Sequence, residues 1–478
     1  MLFTQFKNVQ QALAKNETSV QKIVEHYLEN IAQKNGVLNA YLDVYAEEAI
    51  EKAKAIDEKL AKKSDVGRLA GMVIGIKDNL CYSNHPVGAS SKILDGFVSQ
   101  FTATAVQKLL DEDVIIIGRL NCDEFAMGAS NENSSKGLVR NAANTDYVPG
   151  GSSGGSAVAV QADMCFASLG SDTGGSIRQP ASFCGLVGSK PTYGKISRWG
   201  LLSYASSFDQ IGALTHTVED NALLTEIMAG YDHQDATSSK IEVANYTPLE
   251  RSKGKLKIAY IADCLHHEGI DPAVKSATLA MIDKLKAQGN EVDEIAFSYL
   301  DYMVPCYYVL TTAEASSNLA RYSGLTFGYR SPNSIDLEST FKKSRTEGFG
   351  AEVKRRIMLG TFVLSSNHYD AYYTKAQKVR RIIKEKTEAI LQKYDFIILP
   401  TTSTPAFKIG EKSNNPIAMY LADLFTVQAN LSGNPAISIP LAKHPDNQMP
   451  FGIQVIAEHH QEKKMFDFAC LLEEECKG

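Results

Sequence analysis

Residues 150–180 read GGSSGGSAVAVQADMCFASLGSDTGGSIRQP: two glycine-serine turns separated by an apolar stretch. A flexible linker is the commonest reading of such composition. It fits poorly here, because AVAVQADMCFASLG follows the first turn directly and is ordered in character. A phosphate-cradling loop needs G-x-x-x-x-G-K-[ST], and neither turn supplies the lysine. The G-x-S-x-G pattern of a nucleophile elbow does occur at 150–154, but an elbow must follow a buried strand. The preceding residues, NAANTDYVPG, read as loop. What remains is a turn in which glycine lets the backbone approach a reacting centre. In DTGGSI, consecutive N–H groups ahead of Ser176 can converge on one point, the arrangement of an oxyanion hole.

Around this segment the chain alternates apolar runs with amphipathic ones. MVIGIKD (72–78), VIIIGRL (114–120), MCFASLG (164–170), LKIAYIA (256–262), FIILPT (396–401), PAISIPL (435–441) and FGIQVIA (451–457) read as buried strands. Helical spacing marks 18–33, where Thr18 and Gln21 suggest a capping box, and also 45–63, 102–113, 272–287 and 366–393. The expectation is an α/β fold with a mixed, largely parallel central sheet covered by helices on both faces. One domain over 1–478 is expected, with N-terminal helices over about 1–65 and a polar surface excursion near 231–254.

The chain has 478 residues and a net charge of −6, which argues against its gripping a nucleic-acid backbone by itself. Its eight cysteines form no C-x-x-C pair, so zinc-ribbon and dithiol readings fail, and no metal site is expected. Scattered cysteines, no apolar run of 18 residues and no leader-like N-terminus predict a cytoplasmic protein without a membrane span.

A serine nucleophile needs a base, and none of the ten histidines pairs obviously with the glycine turns. Lys77, ending the run MVIGIK, is the unusual polar residue. Strand-end lysines more often reach solvent. The alternative is a lysine kept neutral by desolvation and acting as base.

Lys77 in GIKDN, GGSSGGS and DTGGSIRQPA together resemble the amidase signature family. The likeness runs through NCDEFAMGASNENS (121–134), GLVGSKPTYGKISRWGLLSYASSFDQIG (185–212), AEASSNLARYSG (313–324) and GAEVKRRIMLGTF (350–362). These segments are similar to one branch, the glutaminase subunits of tRNA-dependent amidotransferases. The resemblance implies the amidase-signature fold and a Ser–cis-Ser–Lys triad: Ser176 as nucleophile, Ser152 as bridge after a cis peptide, Lys77 as base, and Ser153 as auxiliary. It implies that the amides of Thr173, Gly174, Gly175 and Ser176 hold the oxyanion. For glutamine as substrate it implies Arg356 at the α-carboxylate, Asp423 at the α-ammonium and Tyr307 as a wall, types that match those charges. Against this, Arg356 lies in a KRR run of the kind usually solvated, and Asp423 could lie on a helix surface. Arg178 reads as an ion-pair partner, and Glu124 as either a buried structural carboxylate or part of an ammonia path. The branch implies a heterotrimer with subunits B and C, in which tRNA is held mainly by the partner. ATP and Mg would serve the partner's reaction, and this chain would carry no cofactor. A stand-alone amidase acting on another carboxamide is the alternative.

Overall fold

A computed structural model describes residues 3–250, 254–412 and 419–477. Eleven strands form one sheet: β1 (Tyr41–Val44), β2 (Val73–Lys77), β3 (Ile115–Leu120), β4 (Ala167–Asp172), β5 (Val187–Lys190), β6 (Gln210–Thr215), β7 (Lys257–Ile261), β8 (Glu291–Ile295), β9 (Phe396–Pro400), β10 (Ala436–Lys443) and β11 (Pro450–Ala457). Their order is β1-β3-β2-β4-β6-β5-β10-β11-β9-β7-β8. The sheet is mixed, as expected, and helices flank it. It is not largely parallel. Of its ten neighbouring pairs, β2–β3, β2–β4, β7–β8 and β7–β9 are parallel, and the other six are antiparallel. The parallel pairs lie toward the two ends, and the middle of the sheet is antiparallel.

The apolar runs became strands because both of their faces are covered. Every residue of β2, β9 and β11 is buried. The run at 164–170 is shifted in the structure: β4 starts at Ala167 and ends at Asp172, which delivers the chain straight into the second glycine turn. β1, β5, β6 and β8 carried no clear signal in the sequence. β1 (YLDV) and β8 (EVDEI) are short, incompletely buried edge strands carrying charged residues. β5 (VGSK) and β6 (QIGALT) are buried but interrupted by glycine and polar residues, so no apolar run marks them.

Three helices, Phe6–Ala14, Val20–Leu38 and Ala46–Ala61, make up the N-terminal region. The expected Thr18–Gln21 box does not form. Ser19 is the N-cap and accepts from the Lys22 amide at 3.2 Å. The amides of Val20 and Gln21 donate instead to the Asp57 carboxylate at 2.8 and 3.0 Å, so a neighbouring helix satisfies that first turn. Thr104–Asp111 and Pro272–Ala287 match their expected spans. The expected helix at 366–393 is regular only over Lys375–Leu391, after a π-helical turn at Asp370–Thr374. Within the expected excursion at 231–254, residues 251–253 lie outside the described residues. The remainder has no helix or strand, and Tyr246 pins it to the core.

All eight cysteines are free thiols. Among the described residues no helix is long and apolar enough to cross a membrane, and no group of three His, Cys, Asp or Glu could hold a metal ion.

Candidate active site

Lys77 closes β2, which lies between its parallel neighbours β3 and β4 and carries the lysine completely out of solvent. Its Nζ donates to Ser152 Oγ at 2.8 Å, Ser153 Oγ at 2.9 Å and Ser171 Oγ at 3.0 Å. Three neutral hydroxyls replace water but supply no countercharge. Burial therefore pushes the lysine down to about 8, although the thiol of Cys122 and the carboxylates of Asp123, Asp172 and Asp209 pull the other way. The solvent-reaching alternative does not hold for this residue. Ser171, which no motif had marked, completes the ring of hydroxyls and also accepts from Asn79 Nδ2 at 2.9 Å.

The first glycine turn aims Ser152 and Ser153 at that amine. The Gly151–Ser152 peptide is cis. The Gly151 amide donates to Gln179 Oε1 at 2.9 Å, and a Cβ at Gly151 would collide with the Asp123 carboxylate, so only glycine fits. Asp123 is itself fully buried and accepts from the amides of Asn131 and Asn133 at 2.9 and 3.0 Å. Ser153 begins the turn into the helix Gly154–Gln161, and its amide donates to the Ser176 carbonyl at 3.2 Å, joining the two glycine turns.

The second turn runs from β4 to the helix Arg178–Cys184, so the strand–turn–helix context absent at 150–154 occurs at Ser176. The Asp172 carboxylate shapes it. It accepts from the amides of Gly175 at 2.9 Å and Ile177 at 3.2 Å, from Asn430 Nδ2 at 2.9 Å, and from two nitrogens of Arg178 at 3.0 Å each. Arg178 also donates to the Thr426 carbonyl, Gln454 and Asn430, so it is the buried ion-pair partner read from the sequence. Burial would raise Asp172, but the adjacent Arg178 guanidinium overrides it and holds the acid at about 2.

Of the four amides expected at an oxyanion, Gly175 is already committed to Asp172. No hydrogen bond among the described residues occupies those of Thr173, Gly174 and Ser176. Gly175 sits at φ +134°, and a Cβ there would strike Thr426. A Cβ on Gly174 would lie 2.6 Å from the Tyr307 ring, so Tyr307 packs directly on the turn. Ser176 is almost buried, and its hydroxyl has no hydrogen-bond partner among the described residues. Lys77, Ser152 and Ser153 are thus directly hydrogen-bonded, whereas Ser176 joins them through its backbone.

Arg356, Asp423 and Tyr307 gather on one side of this turn. The KRR run divides: Arg355 is half-exposed, whereas Arg356 is buried inside the helix Ala351–Val363. Arg356 donates to Glu352 Oε1 at 2.8 Å and to the Tyr204 hydroxyl at 2.8 Å, and its guanidinium lies 5.2–5.6 Å from the rings of Tyr204, Tyr308 and Tyr420. Asp423 is also buried, not on a helix surface, and accepts from the Tyr308 hydroxyl at 3.2 Å. Burial pushes its carboxyl up to about 7, against the pull of Arg356. Thr426 Oγ1 donates to the Gly174 carbonyl at 2.6 Å and the Asp423 carbonyl at 3.0 Å. Tyr308, Tyr420 and Thr426 were invisible to motif reading, and Tyr204 and Asp209 lay within the segment 185–212 without an assigned role, because each contributes through a partner distant in sequence. Glu124 is a buried carboxylate that accepts from Ser91 and from the Gly350 amide at 2.9 Å, fastening the start of the Arg356 helix.

The site therefore has a desolvated amine within a ring of hydroxyls, a nearly buried serine on a strand–turn–helix junction, unoccupied amides beside it, and a buried arginine and carboxyl nearby. This suits acyl transfer from an amide whose substrate carries both charges.

The sequence model of the Amidase family matches residues 22–466. The A subunit of a glutamyl-tRNA(Gln) amidotransferase from Nostoc sp. is 46% identical over 472 residues, 98% of this chain and 97% of the relative. The crystal structure of the glutamyl-tRNA(Gln) amidotransferase A subunit from Thermotoga maritima is 38% identical with a TM-score of 0.77, covering 94% of this chain and 90% of that one. A structure from a complex described as revealing the evolutionary origins of an s-triazine catabolic enzyme is 28% identical with a TM-score of 0.86, covering 98% of both chains. With its sequence matched from the N-terminal helices to the last one, the chain belongs to the Amidase family, the amidase signature enzymes.

Proposed function

We propose that this chain is the glutamine-hydrolysing subunit of a multi-subunit amidotransferase that converts Glu-tRNA(Gln) to Gln-tRNA(Gln). The observation that carries the reading is the pairing of buried Arg356 and Asp423 around Tyr308, beside the Gly174 turn. A simple carboxamide needs no such pair, but the α-carboxylate and α-ammonium of glutamine do. Fold likeness does not separate the amidotransferase branch from other amidases, since the s-triazine-related structure superposes at least as well. Identity of 46% over nearly the full length of an amidotransferase A subunit favours the amidotransferase.

In this reading, neutral Lys77 accepts the Ser152 proton while Ser152 accepts that of Ser176. Ser176 Oγ then attacks the carboxamide carbon, and its C=O electrons move onto oxygen, where the free amides of the turn stabilise them. Collapse breaks the C–N bond as the relayed proton returns to nitrogen, releasing ammonia and leaving a γ-glutamyl ester on Ser176. Water, deprotonated through the same relay, attacks the ester carbonyl; collapse breaks the C–O bond to Ser176 as the relayed proton returns to its Oγ, and glutamate is formed. Ser153 and Ser171 hold the amine in line. Subunits B and C would complete the enzyme, with tRNA held mainly by the partner that consumes the ammonia. ATP and Mg2+ would be used there to activate the Glu-tRNA carboxylate, and this chain would carry no cofactor of its own.

The test is to assemble the chain with subunits B and C and supply glutamine, ATP, Mg2+ and Glu-tRNA(Gln). Glutamine-dependent formation of Gln-tRNA(Gln), lost when Ser176 is changed to alanine, is the expected result. Hydrolysis of simple amides with no glutamine-dependent amidation would overturn the reading in favour of a stand-alone amidase.

A further inference from the structure

The geometry points to Asp209 as a positioning residue that ties the turn at 173–176 to Arg356, so that filling the arginine site with a carboxylate aligns the turn. The link rests on the reading of Arg356 as the group that receives the substrate carboxylate. Asp209 is buried between β6 and the loop at 198–208, and it divides its two oxygens between two structures. Oδ1 accepts from the Thr173 hydroxyl at 2.7 Å. Oδ2 accepts from the amides of Tyr204 and Ala205 at 2.9 and 3.0 Å. Tyr204 in turn accepts from Arg356 Nη1 at 2.8 Å through its hydroxyl. The chain Thr173–Asp209–Tyr204–Arg356 thus runs unbroken from an unoccupied amide to the recognition arginine.

A second strap reinforces the first. Thr426 Oγ1 reaches both the Gly174 and the Asp423 carbonyls, so each charged recognition residue is connected to the same turn. Tightly packed interiors transmit small displacements instead of absorbing them. A carboxylate that draws the Arg356 guanidinium toward itself pulls on Tyr204. Asp209 passes that pull to Thr173, whose amide must lie about 2.7–3.1 Å from a developing oxyanion to be useful. A side chain that merely filled space would not need a charge at this depth, where an unpaired carboxylate is costly.

The experiment uses the full chain assembled with its partner subunits and the variants Thr173→Val, Tyr204→Phe, Asp209→Asn and Thr173→Val/Tyr204→Phe. Thermal midpoints confirm folding. All three replacements keep side-chain volume, and asparagine can still accept from the Tyr204 and Ala205 amides. kcat and KM are measured for glutamine and for 4-aminobutanamide, which keeps the amine and carboxamide of glutamine but lacks its carboxylate. The expected result is that Tyr204→Phe lowers kcat for glutamine about three- to tenfold, the range of one lost hydrogen bond, and lowers it much less for 4-aminobutanamide. Thr173→Val and Asp209→Asn lower kcat for glutamine similarly, and the double variant is no worse than the stronger single one, because both cut the same chain. Single effects that multiply, a Tyr204→Phe change confined to KM, or equal kcat losses on both amides would overturn the link. Equal kcat/KM of the unaltered enzyme for the two amides would overturn the Arg356 reading itself, and the link with it.

Discussion

Asp172 and Arg178, six residues apart, face each other at 3.0 Å with neither side chain exposed to solvent. Between them lie Gly174, Gly175 and Ser176, so this ion pair clamps the turn on which the site depends. Removing one partner leaves an uncompensated buried charge. Arg178→Ala is expected to destabilise the protein by about 3–5 kcal/mol. Chemical denaturation measures this, and an unchanged midpoint would refute it. The pH dependence follows from the depressed Asp172. Its folded value of about 2 lies below the usual carboxylate value of about 3.9. Its contribution is fully present above pH 4 and is lost as pH falls toward 2.

Ser176→Ala is expected to reduce glutamine hydrolysis by roughly 10³-fold or more with little change in thermal midpoint, because the hydroxyl makes no hydrogen bond among the described residues. Rapid quenching and mass spectrometry should find the acyl adduct of the unaltered enzyme on Ser176, not on Ser152 or Ser153. An adduct on either neighbour would reassign the nucleophile.

The Lys77 amine should make the reaction pH-dependent. In the proposed mechanism its neutral form is the base, and burial brings its value down to about 8. Glutaminase kcat is therefore expected to rise with pH up to about 8 and then level off. Lys77→Arg should be nearly as damaging as Lys77→Ala, since a guanidinium keeps the charge but does not deprotonate in proteins. An active arginine variant, or a flat profile between pH 6 and 9, would leave the lysine a structural role only.

The parts of this site carried by contiguous residues were legible in the sequence: the apolar run that buries Lys77, the two glycine turns, and Arg178 two residues after Ser176. The pocket around Arg356 was legible only by resemblance. Its burial depends on Tyr204, Tyr308 and Tyr420, which come from three separated segments and show no shared spacing. Ser171 was hidden for another reason. It lies in a strand where an alternating pattern is masked by burial on both faces, so nothing in ASLGSD singles out the serine that meets Lys77. The sheet direction was misjudged because buried antiparallel strands in its middle look like parallel ones when no face is exposed.

Arg356→Ala is expected to weaken glutamine binding about 10- to 150-fold, the equivalent of a charge-assisted hydrogen bond of about 1.5–3 kcal/mol. Steady-state KM and isothermal titration with the Ser176→Ala background measure it. The variant should discriminate far less between glutamine and an amide lacking the carboxylate. An equal loss toward both would mean that Arg356 acts on packing, through its three tyrosines, and not on the substrate.

The last prediction concerns assembly. An unregulated glutaminase would release ammonia with no acceptor ready, so the turn at 173–176 is the place where a partner protein can control the rate. Three amides there have no partner among the described residues, and Asp172, Asp209 and Thr426 from three different segments hold the turn that carries them. A partner that favours the aligned arrangement raises the rate by population shift, and only by as much as it binds that arrangement more tightly than the other. A tenfold rise corresponds to about 1.4 kcal/mol of such preference. Glutamate production is therefore expected to be slow for the isolated chain, faster with subunits B and C, and fastest when ATP and Glu-tRNA(Gln) are also present. The rise should appear in kcat, since Arg356 and Asp423, the proposed recognition residues, are already buried and hydrogen-bonded. Identical turnover under all three conditions would sink the idea of coupling, and a change confined to KM would move the control from the turn to the recognition pocket.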